Sequence, residues 1–251
     1  MAVYGLIPAR VESSRLPRKA LIEIHGVPMV IHVAMRAMRC SGLDGLWICT
    51  DSSEIVEVCD KYKVNVCLTT SKHLNGTERI AEAARFLGFK DNDIIIDIQG
   101  DEPLVQPEVI SKVILDTELM LRNGGDIFLP HLEGCETKNP NVVKVVESCG
   151  RVLYLTRSDA PYNFSSESVF KKHLSVIGFS GRSLKNFVSL EQSPLERVEG
   201  VELLRALEGG LIIHTGPYIG DTLSVDVPSD LEKVSRYMMR CPIAREICGY
   251  D

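Results

Sequence analysis

The sequence predicts an α/β fold in which a mostly parallel sheet is flanked by helices. Three observations carry this. Apolar runs of strand length recur at residues 3–8, 46–50, 64–68 and 93–98. Between them lie windows with apolar residues at helical spacing, such as Val30, Ile31, Ala34, Ala37 and Met38. Strands alternating with helices in this way are βαβ units, whose strands pair in parallel. The third observation is charge at strand ends. The first run leads into Arg10, Arg15, Arg18 and Lys19, and the run at 93–98 leads into Gln99-Gly100-Asp101-Glu102. Ligands of open α/β sheets sit beyond the carboxyl ends of parallel strands.

In order, residues 3–8 form the first strand, and Ser13, Ser14 and Pro17 break any regular element in the basic loop after it. Residues 21–24 are short and apolar, His25-Gly26 turns them, and Pro28 opens a helix. Residues 46–50 form the second strand. Asp51 or Ser52 caps the helix that buries Ile55, Val56 and Cys59. Residues 64–68 form the third strand, 69–77 a polar loop, and 78–87 a helix for which Thr77 reads as the N-cap. Residues 93–98 form the fourth strand, and Pro107 opens a helix reaching Leu121. The rhythm then changes. Runs at 142–146 and 152–156 flank Cys149-Gly150 as a hairpin. Residues 159–172 are irregular and 173–179 form a strand. One amphipathic helix spans 195–207, ended by Gly209-Gly210, before a strand at 211–214 and a last helix from Pro228. The pattern reads as one domain, 1–251, with a hairpin region inserted at 139–180.

Composition narrows the function. A chain of 251 residues is long enough for one α/β domain with a substantial core. Its net charge of -6 gives no bulk attraction to nucleic acid or anionic lipid, so the basic loop is a local site. The eight cysteines are scattered with no CxxC pair, which disfavours a zinc ribbon or thioredoxin motif. With a strand beginning at Val3 and no signal-peptide pattern, the expected location is the reducing cytoplasm. No apolar run approaches the length of a membrane span. The sequence has no HxxxH, HExxH, GxSxG or GxxxxGK[ST], which disfavours zinc hydrolases, serine hydrolases and P-loop NTPases.

The charged strand ends suggest phosphate chemistry. Arginine matches phosphate with a fork of donors and lysine adds a compact charge, although a solvated loop paired with surface carboxylates would look similar. Asp101, on a glycine-containing turn after an apolar strand, is well placed for Mg²⁺, which takes hard oxygen ligands. Asp226 shares that site if the two segment ends meet, with helix capping as its rival role. Asn75-Gly76-Thr77-Glu78-Arg79 enters a helix whose first N–H groups favour anions, and Arg79 adds charge.

Taken together, these stretches resemble the 3-deoxy-manno-octulosonate (KDO) cytidylyltransferases. The matching pieces are Ile7-Pro8-Ala9-Arg10 with Ser14-Arg15-Leu16-Pro17 and Lys19, then Asn75-Gly76-Thr77-Glu78-Arg79 and Gln99-Gly100-Asp101-Glu102-Pro103. Asn139-Pro140-Asn141-Val142-Val143-Lys144, Ser193-Pro194-Leu195-Glu196 and Val225-Asp226-Val227-Pro228-Ser229-Asp230 follow in the same order. The resemblance implies a Rossmann-like nucleotidyltransferase fold and a homodimer contacting through the middle region. It implies Mg²⁺-dependent transfer of CMP from CTP to a sugar acid, with release of pyrophosphate. On this resemblance Lys19, Asp101 and Asp226 are catalytic, and Asp101 and Asp226 hold Mg²⁺. Ala9, Arg10, Ser14, Arg15, Lys19, Thr77, Arg79 and Gln99 serve the nucleotide, and Arg157, His173 and Glu202 the acceptor.

The chain departs from the family pattern on the acceptor side. Ile177, Phe179 and Leu203 stand where relatives carry polar groups, and Ser180 follows where they carry arginine. A site built to hydrogen-bond a hydroxyl rejects ligands that leave it unpaired, so these changes point to weakened KDO binding or a different acidic acceptor, such as a phosphonate or a modified octulosonate. Replacement donors from Ser175, Ser180 or Arg182 would instead keep KDO. A non-catalytic nucleotide-binding protein is the rival of another class, though mere binding does not require two metal acids.

Overall fold

The computed structural model describes residues 1–12, 16–70, 73–135, 137–219 and 223–250, so Ser14 and Arg15 lie outside the described residues. At its centre is β1 (Val3–Pro8). Val3 and Ile7 enter one apolar cluster and Leu6 the other, as the two-residue period of a strand buried on both faces requires. After the basic loop, β2 (Glu23–Ile24) and β3 (Val27–Pro28) form a small hairpin, turned by His25 and Gly26 at positive φ. Then come α1 (Met29–Ala37), β4 (Gly45–Thr50), α2 (Ser53–Tyr62), β5 (Val66–Leu68) and α3 (Gly76–Phe86). The half closes with β6 (Ile94–Ile98) and α4 (Pro107–Arg122). Its strands lie in the order β5-β4-β1-β6, all parallel.

The second half comprises β7 (Ile127–Glu133), β8 (Lys144–Ser148), β9 (Arg151–Thr156), β10 (Lys171–His173) and β11 (Val176–Ser180). Then follow α5 (Gly181–Ser189), α6 (Pro194–Glu199), α7 (Leu204–Glu208), β12 (Ile213–Tyr218), α8 (Pro228–Met238) and α9 (Pro242–Cys248). These strands extend the same sheet, in the order β10-β8-β9-β12-β7-β11-β6. Here the expectation of a mostly parallel sheet is corrected. β11 is antiparallel to both β6 and β7, and only β12 with β7 is parallel. β8 and β9 form the expected hairpin, with Cys149 and Gly150 at φ 51 and 74. It joins the sheet edge through His214 opposite Arg151.

Other differences have local causes. β7 has no counterpart among the elements expected from the sequence, and it carries Pro130, which a central strand rarely holds. Pro130 sits where the partner of β7 changes from β11, opposite Phe128, to β10, opposite His131, so no regular ladder bond is lost. The same changeover splits the expected strand 173–179 in two. The expected helix 195–207 is two helices, because Gly200 takes φ +62 and stops α6. α5 begins with a reciprocal Ser180–Ser183 cap that has the reach of a capping box without its usual acid. β12 continues past His214 through Gly216 and Pro217.

Two apolar layers cover the sheet. α1, α2 and α4 bury Ile31, Ile55 and Val113 on one face, and α3, α5 and α7 bury Ile80, Phe187 and Leu204 on the other. A smaller cluster of Leu16, Met29, Leu104, Val225, Val234 and Met238 ties α8 to the basic loop at the carboxyl ends of the strands. Among the described residues no helix is long and apolar enough to cross a membrane.

Candidate active site

A cleft opens over the carboxyl ends of β1 and β6 and the start of α3, lined by Ala9, Arg10, Lys19, Asn75, Arg79, Gln99 and Asp101. Close approach of two strand ends forms its floor. A Cβ on Gly100 would lie 2.8 Å from the Pro8 carbonyl oxygen, so only glycine lets the turn after β6 pack there. The Ala9 N–H donates to the Cys49 carbonyl at 2.9 Å, which carries the β1–β4 pairing to the rim of the cleft.

The basic loop folds back over this floor. Its short 3₁₀ turn, Lys19–Leu21, delivers the Lys19 ammonium between two carboxylates, 2.7 Å from Asp101 and 3.1 Å from Asp226. These acids are 125 residues apart in sequence. Two contacts bring them together: the Val225 N–H donates to the Asp101 carbonyl at 2.9 Å, and the Ser224 hydroxyl donates to Glu102 at 2.8 Å. Glu102 is buried, and desolvation raises its carboxyl above the usual range. Helix capping at α8 is carried out by Asp230, whose carboxylate accepts from the N–H groups of Asp226 and Val227 at 3.1 Å each. That leaves the Asp226 carboxylate turned to Lys19. Arg18 points away and pairs with exposed Glu54 at the surface.

Arg79 lines the cleft but is itself braced. Its guanidinium donates to the Thr69 hydroxyl at 2.7 Å and lies 3.3 Å from Asp51. Asn75 caps α3 by accepting from the Glu78 N–H at 2.8 Å, which corrects the expectation that Thr77 is the cap. Thr77 instead sits one residue into the helix, fully buried, and donates to Glu202 at 2.8 Å behind the cleft. Glu202 is pushed up to about 7, chiefly by desolvation. Asp97, which the sequence reading did not single out, is fully buried, and its carboxyl is raised well above the usual range, by desolvation first and then by the charge of Glu202. Its signal in the sequence was an acid inside the run Ile94-Ile95-Ile96-Asp97-Ile98.

The remaining acceptor-side residues serve other contacts. Arg157 donates to the backbone carbonyls of Glu199, Pro140 and Gly200, so its fork braces the end of α6. His173 faces His131 across β10 and β7, and burial lowers its imidazole to about 4. Ile177, Phe179 and Leu203 are buried together in the core layer over α3 and α5. Their apolar side chains fill that core, so they do not mark polar groups missing from a ligand pocket.

A family model described as cytidylyltransferase matches residues 4–213. The chain belongs to the cytidylyltransferase family. Within it, the chain is similar to proteins named 3-deoxy-manno-octulosonate cytidylyltransferase. The one from Nitratiruptor sp. is 37% identical over 245 residues, covering 92% of this chain and 97% of the relative. The one from Wolinella succinogenes is 38% identical over 242 residues, covering 91% and 96%. The fold matches the structure of CMP:2-keto-3-deoxy-manno-octonic acid synthetase complexed with CTP, with a TM-score of 0.88 and 30% identity over 96% of this chain and 99% of that one. This cytidylyltransferase has the Rossmann-like fold of that enzyme, and its cleft lies where a doubly wound sheet binds ligands.

Proposed function

We propose that this chain transfers CMP from CTP to KDO with release of pyrophosphate, in a reaction that needs Mg²⁺. The observation that carries this is the meeting of Lys19, Asp101 and Asp226 at the rim of a cleft walled by Arg10 and Arg79. Two carboxylates already converge on one cation, the Lys19 ammonium, and Mg²⁺ is held by one or two carboxylates together with water and substrate phosphates. Asp101 and Asp226 are therefore the residues to hold it. When bound there, the ion neutralises phosphate oxygens as charge shifts between them.

The chain's own groups do the rest by positioning and charge. Arg10 and Lys19 bind the triphosphate, and Arg79, fixed by Asp51 and Thr69, keeps one wall of the cleft positive. An acceptor hydroxyl gives its proton to solvent, its oxygen bonds to the α-phosphorus as the bond to the bridging oxygen breaks, and that electron pair leaves on pyrophosphate. Ser175 and Ser224, which meet Glu102, and the residues around His173 form the side from which the acceptor approaches. We also propose a homodimer. Tyr162, Phe164 and Val169, between β9 and β10, are 85%, 91% and 58% exposed, an apolar group that a second copy would cover.

A pyrophosphate-release assay with CTP, Mg²⁺ and a panel of ulosonic acids and phosphonates tests the reaction. KDO is expected to give the highest specificity constant. A higher value for another acid overturns the acceptor, and no release with any of them overturns the reaction.

A further inference from the structure

Lys19 faces two demands that it cannot serve at once. Its ammonium donates to Asp101 Oδ2 at 2.7 Å and to Asp226 Oδ1 at 3.1 Å. The same side chain lines the cleft beside Arg10 and Arg79, where a triphosphate would need it. Mg²⁺ held by this pair, about 2.1 Å from its oxygens, would compete with Lys19 for their lone pairs and stand beside a like charge. The ammonium and the ion therefore exclude one another on Asp101 and Asp226.

The backbone around Lys19 is fixed, while its head can move. Ala20 is buried in the core, the Leu21 N–H donates to the Arg18 carbonyl at 2.9 Å, and the Arg18 N–H donates to the Val11 carbonyl at 3.2 Å. A lysine stem of four carbons is flexible, so the ammonium can change partners without moving this turn. The acids are held without Lys19. The Asp101 carbonyl accepts from the Val225 N–H at 2.9 Å, and the Asp226 N–H donates to Asp230 at 3.1 Å. Their side chains are 28% and 31% exposed against 17% for Lys19, so an ion can reach them from the cleft.

We propose that the Lys19 ammonium is a placeholder for the metal: it bridges Asp101 and Asp226 until the triphosphate draws it away, and the carboxylates then take the ion. Nucleotide and metal thus bind with positive coupling, because the first removes what blocks the second. The bridge also keeps two facing carboxylates from repelling. The identity of nucleotide and metal rests on the proposed function. The exclusion of one cation by another does not.

The test titrates the full chain with Mn²⁺, without nucleotide, and follows the ion by electron spin resonance. Lys19→Met should bind Mn²⁺ at least about tenfold tighter than the unmodified protein. Arg10→Met removes one charge from the same cleft but none from the bridge, and should change the affinity by no more than about twofold. Equal tightening in both variants would show a general field and overturn the inference, as would no tightening in Lys19→Met. A second measurement needs no variant and decides if Lys19→Met does not fold. Acetic anhydride labelling, read by mass spectrometry, should acetylate Lys19 severalfold faster in the unmodified protein once Mn²⁺ saturates the site. Lys112, paired with Asp116 outside the cleft, is the internal reference. A Lys19 rate that ignores Mn²⁺ overturns the displacement. With EDTA present, calorimetry should still detect CTP binding, weakened about tenfold in Lys19→Met. No binding without metal overturns the part played by the nucleotide. If no acid tested gives pyrophosphate, the proposed function fails while the Mn²⁺ titration and the labelling still decide this inference. Pyrophosphate release without tightening in Lys19→Met removes this inference alone.

Discussion

Lys19 sits between two carboxylates that sequence places far apart, and each of the three is partly open to the cleft. Removing one acid leaves the ammonium balanced by the other, so the fold should survive. Asp101→Asn and Asp226→Asn are each expected to lower kcat by about 10²- to 10³-fold, the scale of a lost charge-stabilising group, with little change in melting temperature. Titration with Mn²⁺ as a magnetic probe should show weakened binding in both. Asp230→Ala should do the reverse, costing about 1 kcal/mol of stability by uncapping α8 while the rate is kept. If Asp226→Asn lowers stability and spares the rate, Asp226 is structural.

At the scale of elements, a buried ion network joins α3, α6 and α7. Arg205 of α7 grips Glu196 of α6 with two bonds, reaches Glu78 of α3, and stacks 5.2 Å over Phe187 of α5. It is 3% exposed, so its loss would leave carboxylates buried without their partner. Arg205→Ala should cost about 3–5 kcal/mol in urea unfolding, and Arg205→Lys should recover little because an ammonium cannot form the two-pronged bond. A loss below about 1 kcal/mol would show the network to be solvated in solution. The same network stands behind the Thr77–Glu202 contact, so α7 supports the floor of the cleft without lining it.

For the whole molecule, two desolvated groups shape stability against pH with opposite signs. The Glu202 carboxyl rises from 4.5 to about 7 on folding, so its contribution is complete below pH 4.5 and is lost as pH rises through 7. His173 falls from 6.5 to about 4, so its contribution is complete above pH 6.5 and is lost as pH falls through 4. Each is worth about 3 kcal/mol across its window, and the two partly offset one another between pH 4.5 and 6.5. Chemical unfolding across this range should therefore show Glu202→Gln flattening the neutral limb and His173→Asn flattening the acid limb. Unchanged slopes would show that neither group is desolvated in solution. Sedimentation should find a dimer at micromolar concentration, and a fully active monomer would remove the role proposed for Tyr162 and Phe164.

The sequence by itself determined the parallel half of the sheet, because each strand there is a short apolar run followed by an amphipathic helix, and local period alone specifies both. It also marked the strand ends that carry Arg10, Lys19, Gln99 and Asp101, since charge directly after an apolar run needs no distant partner to be noticed. Tertiary structure decided the rest. β7 became a central strand because the change of partner at Pro130 removed the need for its missing N–H. Thr77 and Glu202 hydrogen-bond each other across 125 residues, and Arg157 reaches the Glu199 carbonyl 42 residues on, so no local pattern shows the bracing contacts these side chains make. Asp226 became a partner of Lys19 because Val225 and Ser224 clasp the turn after β6 and Asp230 relieves it of capping. Each of these outcomes depends on a contact between segments remote in the chain, and no local pattern encodes which of a residue's possible partners will be within reach.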